Sequence, residues 1–122
     1  MKRIHFDIET DGFYGAYWRC KDESDEAIIL MIGDDPEDHM AKSGVKWLIE
    51  RGVNVLTMSP AKKDYGHHNY PLERIEAAIT WLKNQNINKI GIVGASTTGT
   101  LALTAASFFN EITLTIAMTG NL

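Results

Sequence analysis

The stretch Ile90-Gly91-Ile92-Val93-Gly94-Ala95-Ser96-Thr97-Thr98-Gly99-Thr100-Leu101-Ala102-Leu103 decides the fold. A short apolar run feeds a turn of small residues centred on a serine, and helix-forming residues follow. That is the pattern of a nucleophile elbow, in which a strained strand-to-helix turn holds a serine hydroxyl clear of the backbone, beside the amides of a helix N-terminus. Such a turn packs tightly against neighbouring strands and needs small residues, a demand that Gly94 and Ala95 meet. The pattern Gly-x-Ser-x-Gly also asks for glycine two residues after the serine. Thr98 stands there instead, and Gly99 comes one position late.

Two other readings of the same residues stay open at this point. A serine ahead of a helical run is also a preferred N-cap. Gly94 to Gly99 further matches the first six positions of the phosphate loop Gly-x-x-x-x-Gly-Lys-[Ser/Thr], in which backbone amides cradle phosphates and a lysine neutralises them. Thr100 occupies the lysine position, so that charge is missing, and the Gly-x-Gly-x-x-Gly dinucleotide pattern does not occur.

Outward from this stretch the pattern alternates. The apolar run Ala27–Ile32 reads as a strand buried on both faces, and a helix from about Glu37 to Arg51 follows, with Met40, Trp47 and Leu48 on one side and Gly52 as its stop. Val53–Met58 is the next strand. Pro71 opens a second helix carrying Leu72, Ile75, Ala78, Ile79 and Leu82 at helical spacing, Ile90–Val93 is a strand, Thr97–Phe109 a helix and Ile112–Met118 a last strand. At the start, Ile4, Phe6 and Ile8 alternate with polar residues and Asp11-Gly12 precedes a second run, so a β-hairpin with a tight turn is expected. The expected fold is α/β: an N-terminal hairpin, then βαβαβαβ forming a mostly parallel sheet with helices on both faces.

Composition narrows the function classes. A chain of 122 residues is enough for one domain with one core, on a prior of roughly 100–200 residues per domain. With 44% hydrophobic and 23% charged residues it is an ordinary globular sequence, and a formal net charge of −4 offers no basic stripe for nucleic acid. Cys20 is the single cysteine, and no Cys/His cluster has metal-ligand spacing, so neither a metal nor another cofactor is expected. No apolar run is long enough to span a bilayer and no leader follows Lys2-Arg3, so a cytoplasmic protein that does not enter membranes is expected.

A hairpin followed by βαβαβαβ, with Gly-x-Ser opening the third helix, resembles the first six strands of an α/β hydrolase. Gly94-Ala95-Ser96-Thr97-Thr98-Gly99, running into Leu101-Ala102-Leu103 and Ala105-Ala106-Ser107-Phe108, is most similar to the dienelactone-hydrolase-like group and to the C-terminal catalytic domain of acyl-CoA thioester hydrolases and bile-acid-CoA:amino-acid acyltransferases. The resemblance covers nearly all of the chain and about the N-terminal half of such a domain, so residues 1–122 are expected to form a single unit of that extent. It implies Ser96 as nucleophile, an oxyanion hole from the Thr97 amide and an amide of Asp34 or Asp35, and a small-molecule ester or acyl thioester as substrate. In that family the triad runs serine, acid, histidine along the chain. After Ser96 there is no histidine and the only acid is Glu111, so little or no turnover is expected of these residues alone.

Other candidates carry plainer readings. Asp34 and Asp35 side chains beside an oxyanion would oppose its charge unless they point away. With Glu37 and Asp38 they read better as an acidic helix start than as a metal site. His67 and His68, in a polar loop after the Val53–Met58 strand, read as solvated, with a substitute base the sharper alternative. His39 falls in a first helical turn and His5 on the polar side of a strand, neither with an assigned role. Trp18, Trp47 and Trp81 are expected in the core or in helix packing. Ile112–Met118, β-branched, apolar and uncharged, is expected to be covered by a second copy of the chain, giving a homo-oligomer.

Overall fold

The computed structural model describes residues 3–33, 35–58, 70–95 and 97–118. In chain order the elements are β1 (Arg3–Phe6), α1 (Ile8–Asp11), β2 (Gly15–Trp18), β3 (Glu26–Met31), α2 (His39–Ile49), β4 (Asn54–Met58), α3 (Leu72–Asn84), β5 (Lys89–Ala95), α4 (Thr97–Phe108) and β6 (Ile112–Met118). They build one six-stranded sheet in the order β1-β2-β4-β3-β5-β6. β1 and β2 run antiparallel to their neighbours, whereas β4, β3, β5 and β6 are mutually parallel. The alternating α/β architecture read from the sequence is the one observed.

Its start differs in detail. β1 and β2 pair as an antiparallel hairpin, but a helical turn, α1, replaces the expected tight turn. Asp7 caps α1 by accepting the Thr10 amide at 2.9 Å, and Gly12, at φ 84°, ends it by donating to the Ile8 carbonyl. A local side-chain acceptor thus overrode the apolar alternation that had placed Ile8 in a strand.

Helices cover both faces of the sheet. On one, α3 and α4 bury Ile75, Ala78, Ile79, Leu82, Ala102 and Ala105 against Phe6, Tyr17, Ile29, Leu56, Ile90 and Ile92. Trp81 meets the rings of Phe6 and Tyr17 edge-on, each at 4.8 Å. On the other face α2 lays Val45, with Leu48, over Trp18, Leu30 and Val55. Two expectations for α2 fail here. Its buried residues are Ala41 and Val45, while Met40 and Trp47 are 59% and 55% exposed, with the Arg51 guanidinium stacked 3.7 Å above the Trp47 ring. Small residues face the sheet because Gly44 lets the helix approach Leu30 closely, which rolls the larger side chains outward. Pro71 sits one residue ahead of α3, at its N-cap.

Buried Asn54 pins the amino edge of the sheet. It accepts the Cys20 amide at 2.9 Å and donates to the carbonyls of Ser24 and Glu26 at 3.1 Å each, so the loop between β2 and β3 is held by a fully used amide.

Candidate active site at the carboxyl ends of β3 and β5

Chain direction across the sheet reverses at β3: the connection through α2 leads to β4 on one side, and the next, through α3, leads back to β5 on the other. In open parallel sheets the crevice at such a switch, beyond the strands' carboxyl ends, is where ligands bind. The two segments bordering it are the β3–α2 loop and the start of α4. They adjoin because Met31, the last residue of β3, pairs with Gly94 in β5.

β5 runs to Ala95 and α4 starts at Thr97, so position 96 alone separates strand from helix. This turn is possible because of Gly94. A Cβ there would overlap the carbonyl oxygen of Thr98, and backbone cannot move aside. The same geometry leaves no loop of the kind a phosphate cradle requires, since Thr97 to Gly99 are already helical. Thr97 contributes an amide from the first turn of α4, where backbone N–H groups have no partner within the helix.

Thr98, the residue that departs from the Gly-x-Ser-x-Gly pattern, is 3% exposed and fully engaged. Its hydroxyl lies 2.6 Å from the Met31 carbonyl and 2.7 Å from the Ala95 carbonyl, and it accepts the Ala95 amide at 2.9 Å. One proton serves two acceptors, so the hydroxyl donates to one at a time while the amide fills a lone pair. Gly99, one position late in the pattern, has its own purpose: a Cβ there would come 3.1 Å from the carbonyl oxygen of Met118 in β6.

Across the crevice, Gly33 adopts φ 83° with the Asp38 carboxylate occupying the space a side chain would need. Asp38 in turn caps α2 through the Ala41 amide at 2.9 Å. The Asp35 carboxylate is turned onto its own loop, accepting the Glu37 amide at 2.9 Å and the Tyr14 hydroxyl at 3.3 Å. Glu37 forms an ion pair with Arg3 and a hydrogen bond of 2.9 Å with His5 Nδ1, and the His5 ring stands edge-on to Tyr14. Burial works against ionisation of Glu37, but hydrogen bonds and charge from Arg3 and His5 outweigh it and hold its carboxyl below the usual range. Asp35, Glu37 and Asp38 are therefore tied to a turn, a cation and a cap respectively.

Among the expected site residues, Thr97 begins α4 and Asp35 lies in the β3–α2 loop, the segments that follow the paired strands β5 and β3. Ser96 and Asp34 lie outside the described residues, as do His67 and His68. The sequence reading missed what three residues do: Thr98, noted only as a departure, Tyr14, whose bond to Asp35 crosses 21 positions, and Glu37, read only as part of an acidic helix start, whose bond to Arg3 crosses 34. A cleft of about 540 Å³ along α3 is lined by residues such as Thr10, Glu73, Trp81 and Glu111, and by none from the crevice.

Solved structures share this fold. The α/β hydrolase GrgF from Penicillium sp. sh18 superposes with a TM-score of 0.70 at 21% identity, over 93% of this chain and 44% of that one. Est1E from Butyrivibrio proteoclasticus does so with a TM-score of 0.67 at 22% identity, over 96% of this chain and 50% of that one. The chain has the α/β-hydrolase fold. It spans about half the length of these two structures. Residues 70–122, which take in α3, β5, α4 and β6, match the family described as BAAT / Acyl-CoA thioester hydrolase C terminal. No curated protein sequence matches the chain. Of this fold, the described residues comprise the strands β1 to β6 and the helices α1 to α4.

Proposed function

We propose that this chain carries the nucleophile and oxyanion half of a serine (thio)ester hydrolase or acyltransferase of the acyl-CoA thioesterase kind. The observation that carries the reading is the junction at position 96: one residue between β5 and α4, a serine in the sequence, at the switch crevice of an α/β-hydrolase fold. The family match over residues 70–122 supports an acyl thioester as the substrate class.

Ser96 would attack the acyl carbonyl, and the Thr97 amide together with one from Asp34 or Asp35 would hold the oxyanion. The ties of Asp35 to Tyr14 and Glu37 support this role, because they turn its carboxylate onto the loop. Collapse of the tetrahedral intermediate would break the C–S or C–O bond, release the thiol or alcohol and leave the acyl group on Ser96, from which water or an amine would take it. Residues 97–122 contain no histidine, so in the family's triad order the base comes from elsewhere. The 122 residues alone are expected to turn over slowly at best, since oxyanion hole and binding retain only a small part of a triad's acceleration.

Labelling with a fluorophosphonate, read by peptide mass, tests the assignment. Slow modification confined to Ser96 and abolished in Ser96→Ala is expected; modification centred on another serine, such as Ser107, contradicts it.

A further inference from the structure

We propose that Tyr14 is a positioning residue for acyl transfer: it holds the Asp35 carboxylate toward the β1–β2 hairpin and so keeps that charge from the oxyanion. The proposal rests on the nucleophile reading above and adds a residue that acts through Asp35.

The direction of the pull follows from the strand order. On one side of β3 lie β4, then β2, then β1, and on the other lies β5, so the hairpin and the β5–α4 junction stand on opposite sides of β3. Tyr14 is at the carboxyl edge of the parallel strands, because Gly15, the next residue, pairs with Met58 at the end of β4. Its hydroxyl lies 3.3 Å from Asp35 Oδ2, and Asp35 Oδ1 accepts the Glu37 amide at 2.9 Å. Glu37 is drawn the same way, its carboxylate bound to Arg3 and His5 of β1. Both carboxylates are thus held toward the hairpin, whereas position 96 follows β5.

Packing fixes the Tyr14 side chain in this pose. Tyr14 is 8% exposed, and the His5 ring stands edge-on to it at 5.6 Å. At 3.3 Å the bond to Asp35 is long, so the buried ring supplies the direction and the carboxylate supplies an acceptor for the hydroxyl. The consequence is electrostatic. In the acyl-transfer reading, the Thr97 amide and an amide of the β3–α2 loop bind an oxyanion, and a carboxylate released toward β5 would oppose its formation. Bringing a unit charge from ~10 Å to ~5 Å of the oxyanion, at an effective dielectric constant of ~20, slows that step about 10-fold.

The test compares two reactions of one thiol, in the chain carrying Ser96→Cys, each read at the modified peptide. With S-phenyl thioacetate, a neutral thioester, the introduced thiolate adds to the carbonyl, an oxyanion forms, and benzenethiolate leaves. With iodoacetamide it displaces iodide and no oxyanion forms. The ratio of the two rates therefore cancels changes in thiolate fraction and access. Tyr14→Phe should lower this ratio about 10-fold with an unchanged far-ultraviolet circular dichroism spectrum. When Asp35→Asn is also present, Tyr14→Phe should move the ratio by less than ~2-fold, since no charge remains to be held; lost packing would not be rescued in this way. Asp35→Glu, which keeps the charge but displaces it, should lower the ratio with Tyr14 in place, and decides the matter if Tyr14→Phe does not fold. A ratio unchanged by Tyr14→Phe, one lowered equally with Asp35→Asn present, or, where Tyr14→Phe does not fold, one unchanged by Asp35→Glu overturns the proposal and leaves the nucleophile reading standing. A Ser96→Cys thiol acylated no faster than that of Ser107→Cys overturns both.

Discussion

The hydroxyl of Thr98 lies 2.6 Å from the carbonyl oxygen of Met31 and ties the first turn of α4 to the end of β3. Met31 leads directly into the β3–α2 loop, so this contact adds a side-chain tie between the two segments beside the β3–β5 pairing. Thr98→Val keeps the shape and removes the hydroxyl, leaving the Met31 carbonyl and the Ala95 amide without this partner. A loss of about 1–3 kcal/mol in urea unfolding is expected, with Thr98→Ser close to wild type. Thr98→Gly, although it restores the Gly-x-Ser-x-Gly pattern, should lose at least as much.

Gly94 faces the backbone of the same turn. Gly94→Ala would push a methyl group into the Thr98 carbonyl, which the strand and helix hold from both sides. A loss of several kcal/mol is expected, on the scale of severe overpacking. Soluble yield and the thermal unfolding midpoint should both fall well below those of the wild type.

Asp38 serves two neighbours. Its carboxylate caps α2 through the Ala41 amide and fills the space over Gly33. Asp38→Ala should cost about 1 kcal/mol, the usual loss of an N-cap, read as a lower urea midpoint with an unchanged slope.

Acid should release the tie between β1 and the β3–α2 loop. Glu37 is held below its ordinary value of 4.5, so its ionised form binds more tightly in the folded state. The stability it contributes is complete above the unfolded value and is lost as pH falls through the folded one. Arg3 and His5 are about half exposed, so the contribution is modest. Glu37→Gln should be less stable than wild type near pH 6, and the difference should shrink progressively as pH falls below 4.5. A difference that persists at low pH would assign the effect to packing.

Most of the fold could be read from the sequence because its long elements are strongly periodic. Ile112–Met118 was placed to the residue, and the parallel strands followed from uninterrupted apolar runs between helices. The misreadings were local or long-range. Ile8 kept a strand's alternation but was drawn into α1 by the carboxylate of Asp7. Met40 and Trp47 satisfied the helical period yet turned outward, because the sheet accepts only the small face around Gly44. At the site, the serine turn was visible as a run of small residues. The bonds from Thr98 to Met31 and from Tyr14 to Asp35 join positions far apart in the chain, and no local pattern announces them.

Acyl transfer to position 96 tests the nucleophile assignment most directly, in a form that needs no histidine. A thiol introduced by Ser96→Cys should have a pKa below the ordinary ~8.5, because it would stand at the N-terminus of α4. Incubated with an acyl-CoA and followed by peptide mass, which separates it from the buried Cys20, it should be acylated at least ~10-fold faster than the thiol of Ser107→Cys on the exposed last turn of α4. Equal rates at the two positions, with an ordinary thiol pKa at position 96, would contradict the assignment.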